Sequence, residues 1–262
     1  MLLRWGDSGF LPAGEPGELR AADSWLVADG RVRAFDAHER RFGWACGELG
    51  GISREQTREF MLAAMARVPS RGRWFPRAEL IGVAGAARLQ LRIRPAPAQG
   101  HSVRLWLWPS PDARTNPVVK GPDLGWLASV RRAAVDAGAD EAVLLSGRGH
   151  ILEGSATSIL WWSGDTLCAP PEAGRVLPSV TRDLLLDAAD AAGVTVSLRD
   201  ASPTELAGLE VWAVNALHGI RPVTAWIGTG ITAGPAHRAL RWQVYLDELS
   251  REVRPGPAEA VR

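Results

Sequence analysis

The chain contains very little lysine, tyrosine or cysteine: one, one and two of these residues, respectively, among 262. Its basic residues are therefore nearly all arginine, and they are spread along a chain of net charge +1. This dispersed charge argues against a nucleic-acid partner. Cys46 and Cys168 lie far apart without a CxxC pattern, which favours a reducing, cytoplasmic setting. We find no apolar segment of signal-peptide or membrane-spanning length, so no membrane partner is expected.

The single lysine, Lys120, is the first candidate for chemistry. Arginine can replace lysine as a surface cation but not as a nucleophilic amine, because the guanidinium group does not deprotonate. A lysine kept in an arginine-rich chain is therefore a candidate for covalent bonding to a carbonyl group. A codon bias towards arginine that left one site unchanged is the alternative explanation.

The N-terminal part of the sequence alternates strand and helix signals. Residues 1–22, rich in Gly, Pro and Ala, predict an irregular lead-in. Asp29-Gly30 predicts a β-hairpin, and Asp36 is expected to cap the helix that follows. The remaining segments are a helix over 53–67 with a capping box, strands over 87–94 and 101–108, and a linker over 109–117.

The C-terminal part continues with helices and short strands. Helices are predicted over 123–137, 178–192 and 237–251, and strands over 141–146, 150–162, 166–169, 194–198 and 210–214. The whole pattern predicts an α+β protein with a smaller N-terminal domain, 1–116, and a larger C-terminal domain, 117–262.

A carboxylate, Glu153, is the natural partner for the lysine. An amine and a carboxylate are the minimum requirement of a pyridoxal-phosphate enzyme, because the amine binds the aldehyde and the carboxylate keeps the pyridine nitrogen protonated. Glu153 opens the small, polar stretch Glu-Gly-Ser-Ala-Thr-Ser between apolar segments, which indicates close approach to a ligand. A solvated glutamate at a strand end is the alternative.

A phosphate site is suggested by the start of the helix near residue 179. The first N–H groups of this helix and the Thr181 hydroxyl would bind an anion, and Arg41 could add a guanidinium group. Ordinary N-capping is the alternative. The five histidines form no pair with metal-ligand spacing, so no metal is expected.

Taken in order, these motifs resemble the class IV aminotransferase family over roughly residues 22–226. The resemblance is carried by Lys120-Gly121-Pro122, Glu153-Gly154-Ser155, the run 177–182 and the pair His38-x-x-Arg41. The family comprises fold-type IV pyridoxal-phosphate enzymes, among them branched-chain and D-amino-acid aminotransferases and 4-amino-4-deoxychorismate lyase. It implies two α+β domains with pyridoxal 5'-phosphate in the cleft between them, and a homodimer.

The resemblance also implies roles for individual residues. Lys120 would be the Schiff-base lysine and Glu153 the partner of the pyridine nitrogen. The phosphate would be bound by Arg41, Val180 and Thr181, with Ala216 and Leu217 as backbone contacts. The form Asn-Ala-Leu at 215–217 is closer to the lyases than to the Thr-rich aminotransferases.

Ser24 stands where the lyases carry a threonine that acts as an acid, so its hydroxyl could protonate the leaving enol carbon. A solvent-facing serine is the alternative. Arg92 and Arg94 share one strand face and could bind substrate carboxylates, or they could form a solvated edge. His218 has either a substrate-side or a structural role.

The resemblance therefore implies 4-amino-4-deoxychorismate lyase, in which Lys120 removes the α-proton and β-elimination releases pyruvate and 4-aminobenzoate. An aminotransferase of the branched-chain or D-amino-acid type, acting on a small amino-acid-like substrate, is the alternative. A non-catalytic binding protein is a remote alternative, because the family's tyrosine after the lysine and its Tyr-Gly-Asp-Gly stretch are both absent.

Overall fold

The computed structural model describes residues 1–14, 16–172 and 174–253. Within these residues the helices are Phe35–Gly50 (α1), Arg54–Arg67 (α2), Leu124–Asp136 (α3), Val180–Ala191 (α4) and Ala239–Glu248 (α5), with a 3-10 turn at Pro203–Leu206. None of the described helices is both long and apolar enough to cross a membrane.

The described strands are short and fall into three sheets. In chain order they are Leu2–Gly6 (β1), Gly9–Pro12 (β2), Glu18–Ser24 (β3), Val27–Ala28 (β4), Arg31–Arg33 (β5), Arg73–Trp74 (β6), Arg77–Val83 (β7), Ala86–Arg92 (β8), Val103–Leu107 (β9), Glu141–Leu145 (β10), Ile151–Gly154 (β11), Ser158–Ser163 (β12), Thr166–Ala169 (β13), Val196–Leu198 (β14), Val211–Asn215 (β15), Gly219–Ile227 (β16) and Ser250–Glu252 (β17). The expected α+β class is confirmed.

The chain divides into two compact units. The first unit comprises 1–97, 119–122 and the described residues from 249 onwards; the second comprises 98–118 and 123–248. This division differs from the predicted boundary between residues 116 and 117. The segment that carries Lys120 belongs to the first unit because the Ala22 N–H donates a hydrogen bond to the Lys120 carbonyl, 2.6 Å away.

The first unit is built on an antiparallel sheet of order β2-β1-β8-β7-β3 and a smaller sheet of order β17-β5-β4-β6. Its core includes Trp25, Phe42, Phe60 and Leu80, all essentially inaccessible to water. The predicted irregular lead-in over 1–22 is wrong, because β1, β2 and most of β3 lie there. The composition-based prediction failed because the glycine and proline content of this region hid short apolar runs such as LLRW.

Two local predictions in this unit are confirmed and one is wrong. Asp29 and Gly30 have φ of 47° and 76° and form the two-residue turn between β4 and β5. Ser53 caps α2 in a capping box. In contrast, α1 begins at Phe35, with Ala34 at the N-cap in a left-handed conformation, so Asp36 lies in the first turn instead of capping it.

The second unit contains an eight-stranded sheet of order β11-β10-β9-β16-β15-β12-β13-β14. Its core includes Leu105, Ile159 and Trp161. The strand predicted over 150–162 is interrupted after Gly154, whose N–H donates to the Thr157 carbonyl at 2.7 Å. A Cβ at Gly154 would lie 2.2 Å from Thr157 Oγ1, so this turn requires glycine.

Candidate active site

Lys120 is fixed through its backbone to the edge strand β3. Besides the hydrogen bond to Ala22, the next residue, Gly121, has φ of 150°, and a Cβ there would lie 2.6 Å from Ala21 Cα. Only glycine permits so close an approach. The Lys-Gly pair therefore sets the lysine firmly against the strand that carries Asp23 and Ser24, and the Lys120 side chain is half-buried.

Asp23 is the centre of a buried charge network that sequence reasoning missed. Its carboxylate accepts hydrogen bonds from Arg41 through Nε and Nη2, both at 2.8 Å, and lies 2.8 Å from His38 Nδ1. Burial alone would raise the pKa of Asp23, but Arg41 and His38 outweigh it and hold the pKa well below its usual value. Burial lowers the pKa of His38, Asp23 opposes this through its charge and hydrogen bond, and the charges of Arg41 and Lys120 add to the lowering, so that the pKa lies below its usual value.

The predicted phosphate ligand Arg41 is thus a residue whose guanidinium is oriented by Asp23. Its side chain is 16% exposed, whereas that of Asp23 is fully buried. The bidentate contact holds one edge of the guanidinium against the protein. A signal for this pairing was present in the sequence, since a lone aspartate follows the apolar Ala21-Ala22 and precedes the buried Trp25.

Ser24 lies at the end of β3 and is 3% exposed. It is paired with Arg77 across the sheet, and Arg77 is in turn paired with Arg92. The alternative of a solvent-facing serine is therefore wrong. Arg92 Nε donates to Glu79, and Arg94 Nε donates to the Phe75 carbonyl at 2.9 Å.

Glu153, in the second unit, lies at the end of β11 and is 5% exposed. Its Oε1 accepts from Arg114 Nη1 and from the Leu177 N–H at 3.0 Å. No described residue donates to Oε2. Burial raises the pKa of Glu153 to about 7, against the lowering effect of Arg114 and the Leu177 N–H. The carboxyl group is therefore poised to share a proton near neutral pH.

Arg114 was missed because the run PSPDARTNP was interpreted as a linker. The structure shows this segment as part of a buried ion network. Arg114 Nε and Nη2 each lie 2.9 Å from the Asp112 carboxylate, and Arg175 Nη2 lies 2.6 Å from the same group. Two charges in a proline-rich stretch were the available signal.

The N-terminus of α4 provides the expected anion donors. Ser179 caps the helix, with its Oγ accepting from the Arg182 N–H at 3.3 Å. No described residue accepts from the N–H groups of Val180 and Thr181. These two donors remain available, as phosphate binding at a helix N-terminus requires.

The turn over 215–218 differs from what was expected. The Leu217 N–H donates to Asn215 Oδ1 at 3.1 Å, and its carbonyl accepts from Gln99. The two backbone groups of Leu217 are therefore already engaged, and the geometry does not favour Leu217 as an anion contact. His218 Nδ1 accepts from the Gly100 N–H at 3.1 Å, and burial with Arg221 and Arg131 lowers the pKa of His218 to about 4. The ring is therefore neutral at pH 7, with its proton on Nε2.

These groups fit pyridoxal 5'-phosphate chemically. The first unit offers one half-buried amine on Lys120. The second offers a buried carboxyl oxygen on Glu153 without a donor among the described residues, and two uncapped N–H groups on a twelve-residue helix. An aldehyde, a pyridine nitrogen and a phosphate are the matching groups of the cofactor. No group of acidic, histidine or cysteine side chains in the described residues is arranged to hold a metal.

A family model described as amino-transferase class IV matches residues 20–226, so the chain belongs to this family. The expectation of a pyridoxal-phosphate-dependent enzyme is thereby confirmed. No curated protein sequence matched the chain.

Several solved structures share the fold. A hypothetical aminotransferase from Mycobacterium tuberculosis in its PLP-bound form has a TM-score of 0.80 at 18% identity, over 95% of this chain and 98% of that one. The branched-chain amino acid aminotransferase of Escherichia coli has a TM-score of 0.76 at 18% identity, over 91% and 87%. A "Putative 4-amino-4-deoxychorismate lyase" from Legionella pneumophila has a TM-score of 0.77 at 17% identity, over 91% and 96%. These likenesses establish the fold.

Proposed function

We propose that this member of the class IV family is a 4-amino-4-deoxychorismate lyase, which splits its substrate into pyruvate and 4-aminobenzoate. The single observation that carries the choice is the placement of Ser24. Its hydroxyl is buried on β3, two residues from Ala22, which hydrogen-bonds the Lys120 backbone. An acid near the lysine is needed to eliminate an enol, whereas amino transfer does not require one.

The roles of the protein groups follow from their surroundings. When bound, pyridoxal phosphate supplies an electron sink for the substrate carbon that carries the amine. Lys120 would remove the proton from that carbon. Ser24 would donate a proton to the methylene carbon of the enolpyruvyl group as the bond between the ring carbon and the ether oxygen breaks, so that the group leaves with its oxygen as pyruvate. Glu153 would hold the ring nitrogen, since Arg114 and the Leu177 N–H engage only its Oε1. Arg41, Val180 and Thr181 would bind the phosphate.

The second candidate is an aminotransferase that passes the amine to a 2-oxo acid. It is supported by the description of the family to which the chain belongs, amino-transferase class IV. Lys120 would then return the proton to the cofactor side, and no acid at Ser24 would be needed. Either proposal includes a homodimer in the cytoplasm. The cytoplasmic setting is supported by the two cysteines, which are buried free thiols, because a reducing compartment keeps thiols unpaired.

Pyruvate release from aminodeoxychorismate by the unmodified protein separates the two candidates, and Ser24→Ala tests the role of Ser24. We expect the variant to lower the rate of pyruvate release from aminodeoxychorismate by about a hundredfold, because one proton donor is removed. Its visible absorbance should equal that of the unmodified protein. Ser129→Ala, an exposed serine on α3, serves as the control and should change neither quantity. Unchanged pyruvate release in Ser24→Ala would remove Ser24 from the mechanism, whereas no pyruvate release by the unmodified protein would favour the aminotransferase.

A further inference from the structure

A second buried carboxyl group lies beside the turn that follows Glu153. Glu141, the first residue of β10, is completely buried, and its Oε1 accepts hydrogen bonds from the Ser155 hydroxyl and from the Ala142 N–H, the latter at 3.1 Å. The Ser155 N–H in turn donates to the Ala142 carbonyl at 2.9 Å. Ser155 is therefore attached to the beginning of β10 by both its backbone and its side chain.

This attachment acts on Glu153 through a short piece of backbone. Glu153 on β11 is paired with Leu144 on β10, and Ser155 follows it by two residues. Gly154 stands between them, and a Cβ at Gly154 would lie only 3.2 Å from Glu141 Cγ. The backbone of the turn is thus packed directly against the Glu141 side chain. A movement of Ser155 away from Glu141 would displace the backbone from which the Glu153 side chain projects.

Glu141 is an expensive group to bury if it only fills space. Burial raises the pKa of Glu141 above its usual value, against the lowering effects of the Ser155 hydroxyl and of the Arg131 and Arg221 charges. Buried ionisable groups add little net stability, but a satisfied polar network can fix one conformation of the chain. The hydrogen bond to Ser155 is the contact through which Glu141 can do this.

The second oxygen of Glu141 belongs to a small polar cluster. Three buried atoms have no hydrogen-bond partner among the described residues: Glu141 Oε2, Arg221 Nε and Thr157 Oγ1. Glu141 Oε2 lies 4.0 Å from Arg221 Nη2, which is too long for a hydrogen bond. Thr157 Oγ1 and Glu141 Cγ both lie within contact distance of the point where a Cβ on Gly154 would stand.

The three atoms match the hydrogen-bonding capacity of one water molecule. The carboxyl oxygen of Glu141 and the hydroxyl oxygen of Thr157 can each accept one of its protons, and Arg221 Nε can donate to its oxygen. A buried water molecule typically makes about three hydrogen bonds to polar groups that would otherwise lack partners. Such a water would close the gap between Glu141 and Arg221.

We propose that Glu141 is a positioning residue for Glu153. Glu141 holds the Ser155 hydroxyl, and through Ser155 it fixes the turn that keeps the Glu153 carboxyl in place for the pyridine nitrogen. One buried water molecule joins Glu141 Oε2 to Arg221 and Thr157 and completes the network. The role of Glu141 rests on the part proposed for Glu153, and it is the same for a lyase and for an aminotransferase.

Ser155→Ala tests the attachment with a minimal change, since only a hydroxyl group is removed. Amide hydrogen exchange is measured on the purified holoenzyme. The Gly154 N–H, which donates to the Thr157 carbonyl, should exchange at least about tenfold faster than in the unmodified protein, because the turn opens more readily. The N–H of Trp161, in the core of the same unit, should keep its exchange rate and so show that the fold is intact.

A spectroscopic signal reports whether Glu153 itself is affected. The protein is reconstituted with pyridoxal phosphate that carries nitrogen-15 in the ring, and the chemical shift of this nitrogen is recorded. In Ser155→Ala the signal should move towards that of the unprotonated ring, because a displaced carboxyl group stabilises the ring proton less. A residue with a merely structural role would leave this signal unchanged.

Two further variants serve as matched controls. Ser158→Ala removes the hydroxyl of another buried serine, which does not donate to Glu141, and it should change neither the Gly154 exchange rate nor the nitrogen signal. Glu141→Gln keeps an oxygen that accepts from Ser155, so its Gly154 exchange rate should stay within about twofold of that of the unmodified protein. Unchanged Gly154 exchange in Ser155→Ala, or faster exchange with an unchanged nitrogen signal, would overturn the role of Glu141.

A crystal structure of the holoenzyme tests the water molecule. We expect one density peak within about 3 Å of Glu141 Oε2, Arg221 Nε and Thr157 Oγ1, and its loss in Thr157→Val. A direct hydrogen bond between Glu141 and Arg221 without such a peak would overturn the water site. A protein that binds no pyridoxal phosphate would contradict the proposed function, whereas a yellow protein with the same nitrogen signal in Ser155→Ala would contradict the role of Glu141 alone.

Discussion

Asp23 and Glu153 are both buried carboxyl groups, one in each unit, yet their pKa values move in opposite directions. Asp23 has a bidentate arginine and a histidine within 2.8 Å, and its pKa lies well below the usual value. Glu153 has one arginine and one backbone N–H, both on the same oxygen, and burial raises its pKa to about 7.

The difference shows that burial alone does not decide the charge of a carboxyl group. The neighbouring charges, and the hydrogen bonds donated to the two oxygens, decide it together with burial. Asp23 is saturated with donors and acts as a permanent anion that orients Arg41. Glu153 keeps one oxygen to which no residue in the described part of the chain donates, which is the property expected of a cofactor ligand.

The largest decrease in the free energy of unfolding is expected when the charge of Asp23 is removed. Asp23→Asn should lower the free energy of unfolding at pH 7 by about 3 kcal/mol, because it leaves Arg41 without its buried counter-charge. The pKa of Asp23 is lowered on folding, so its contribution is present above about pH 3.8 and is lost as the pH falls below that value. Denaturant unfolding with the exposed Asp36→Asn as control measures this difference. Equal stability of the two variants would contradict the account of Asp23.

A smaller change in the free energy of unfolding, which depends on pH, is expected from Glu153 in the cofactor-free protein. Its pKa is raised on folding, so the folded state binds an extra proton between about pH 4.5 and pH 7. Its contribution should therefore be complete below pH 4.5 and decrease by roughly 2–3 kcal/mol as the pH rises to about 7. Glu153→Gln should lack this decrease. Parallel stability profiles for the two proteins would show that the pKa of Glu153 does not change on folding.

The smallest effect is expected for His38→Gln. Since burial and the neighbouring cations keep His38 neutral at pH 7, its loss removes one neutral hydrogen bond to Asp23, worth about 1 kcal/mol. The free energy of unfolding should therefore fall less than in Asp23→Asn. A loss as large as that of Asp23→Asn would mean that the imidazole carries a charge.

Local sequence signals predicted the parts of the fold that depend on local chemistry. Asp29-Gly30 gave a hairpin because these residues tolerate positive φ, and Ser53 capped its helix because serine satisfies free N–H groups. The strands over 1–22 were missed because glycine and proline interrupt their short apolar runs, and because β1 and β3 also take distant partners, β8 and β7. Pairing across such separations leaves no local pattern.

Some residues of the candidate site were predicted from the sequence and others were not. Lys120 and Glu153 could be identified because their types are chemically necessary, and the family match supports the class of enzyme. Arg114 and Asp23 were missed, since their sequence signals are weak and their role of holding other side chains depends on tertiary contacts. Leu217 was expected to bind an anion through its backbone, but Asn215 and Gln99 take up its polar groups.

The central claim, that Lys120 binds pyridoxal phosphate, is tested most directly by visible absorbance followed by borohydride reduction and peptide mapping. The account predicts a yellow protein in which reduction fixes the cofactor to Lys120, with no label in Lys120→Arg. A colourless protein that takes up no added pyridoxal phosphate, or a label on any other group, would contradict it.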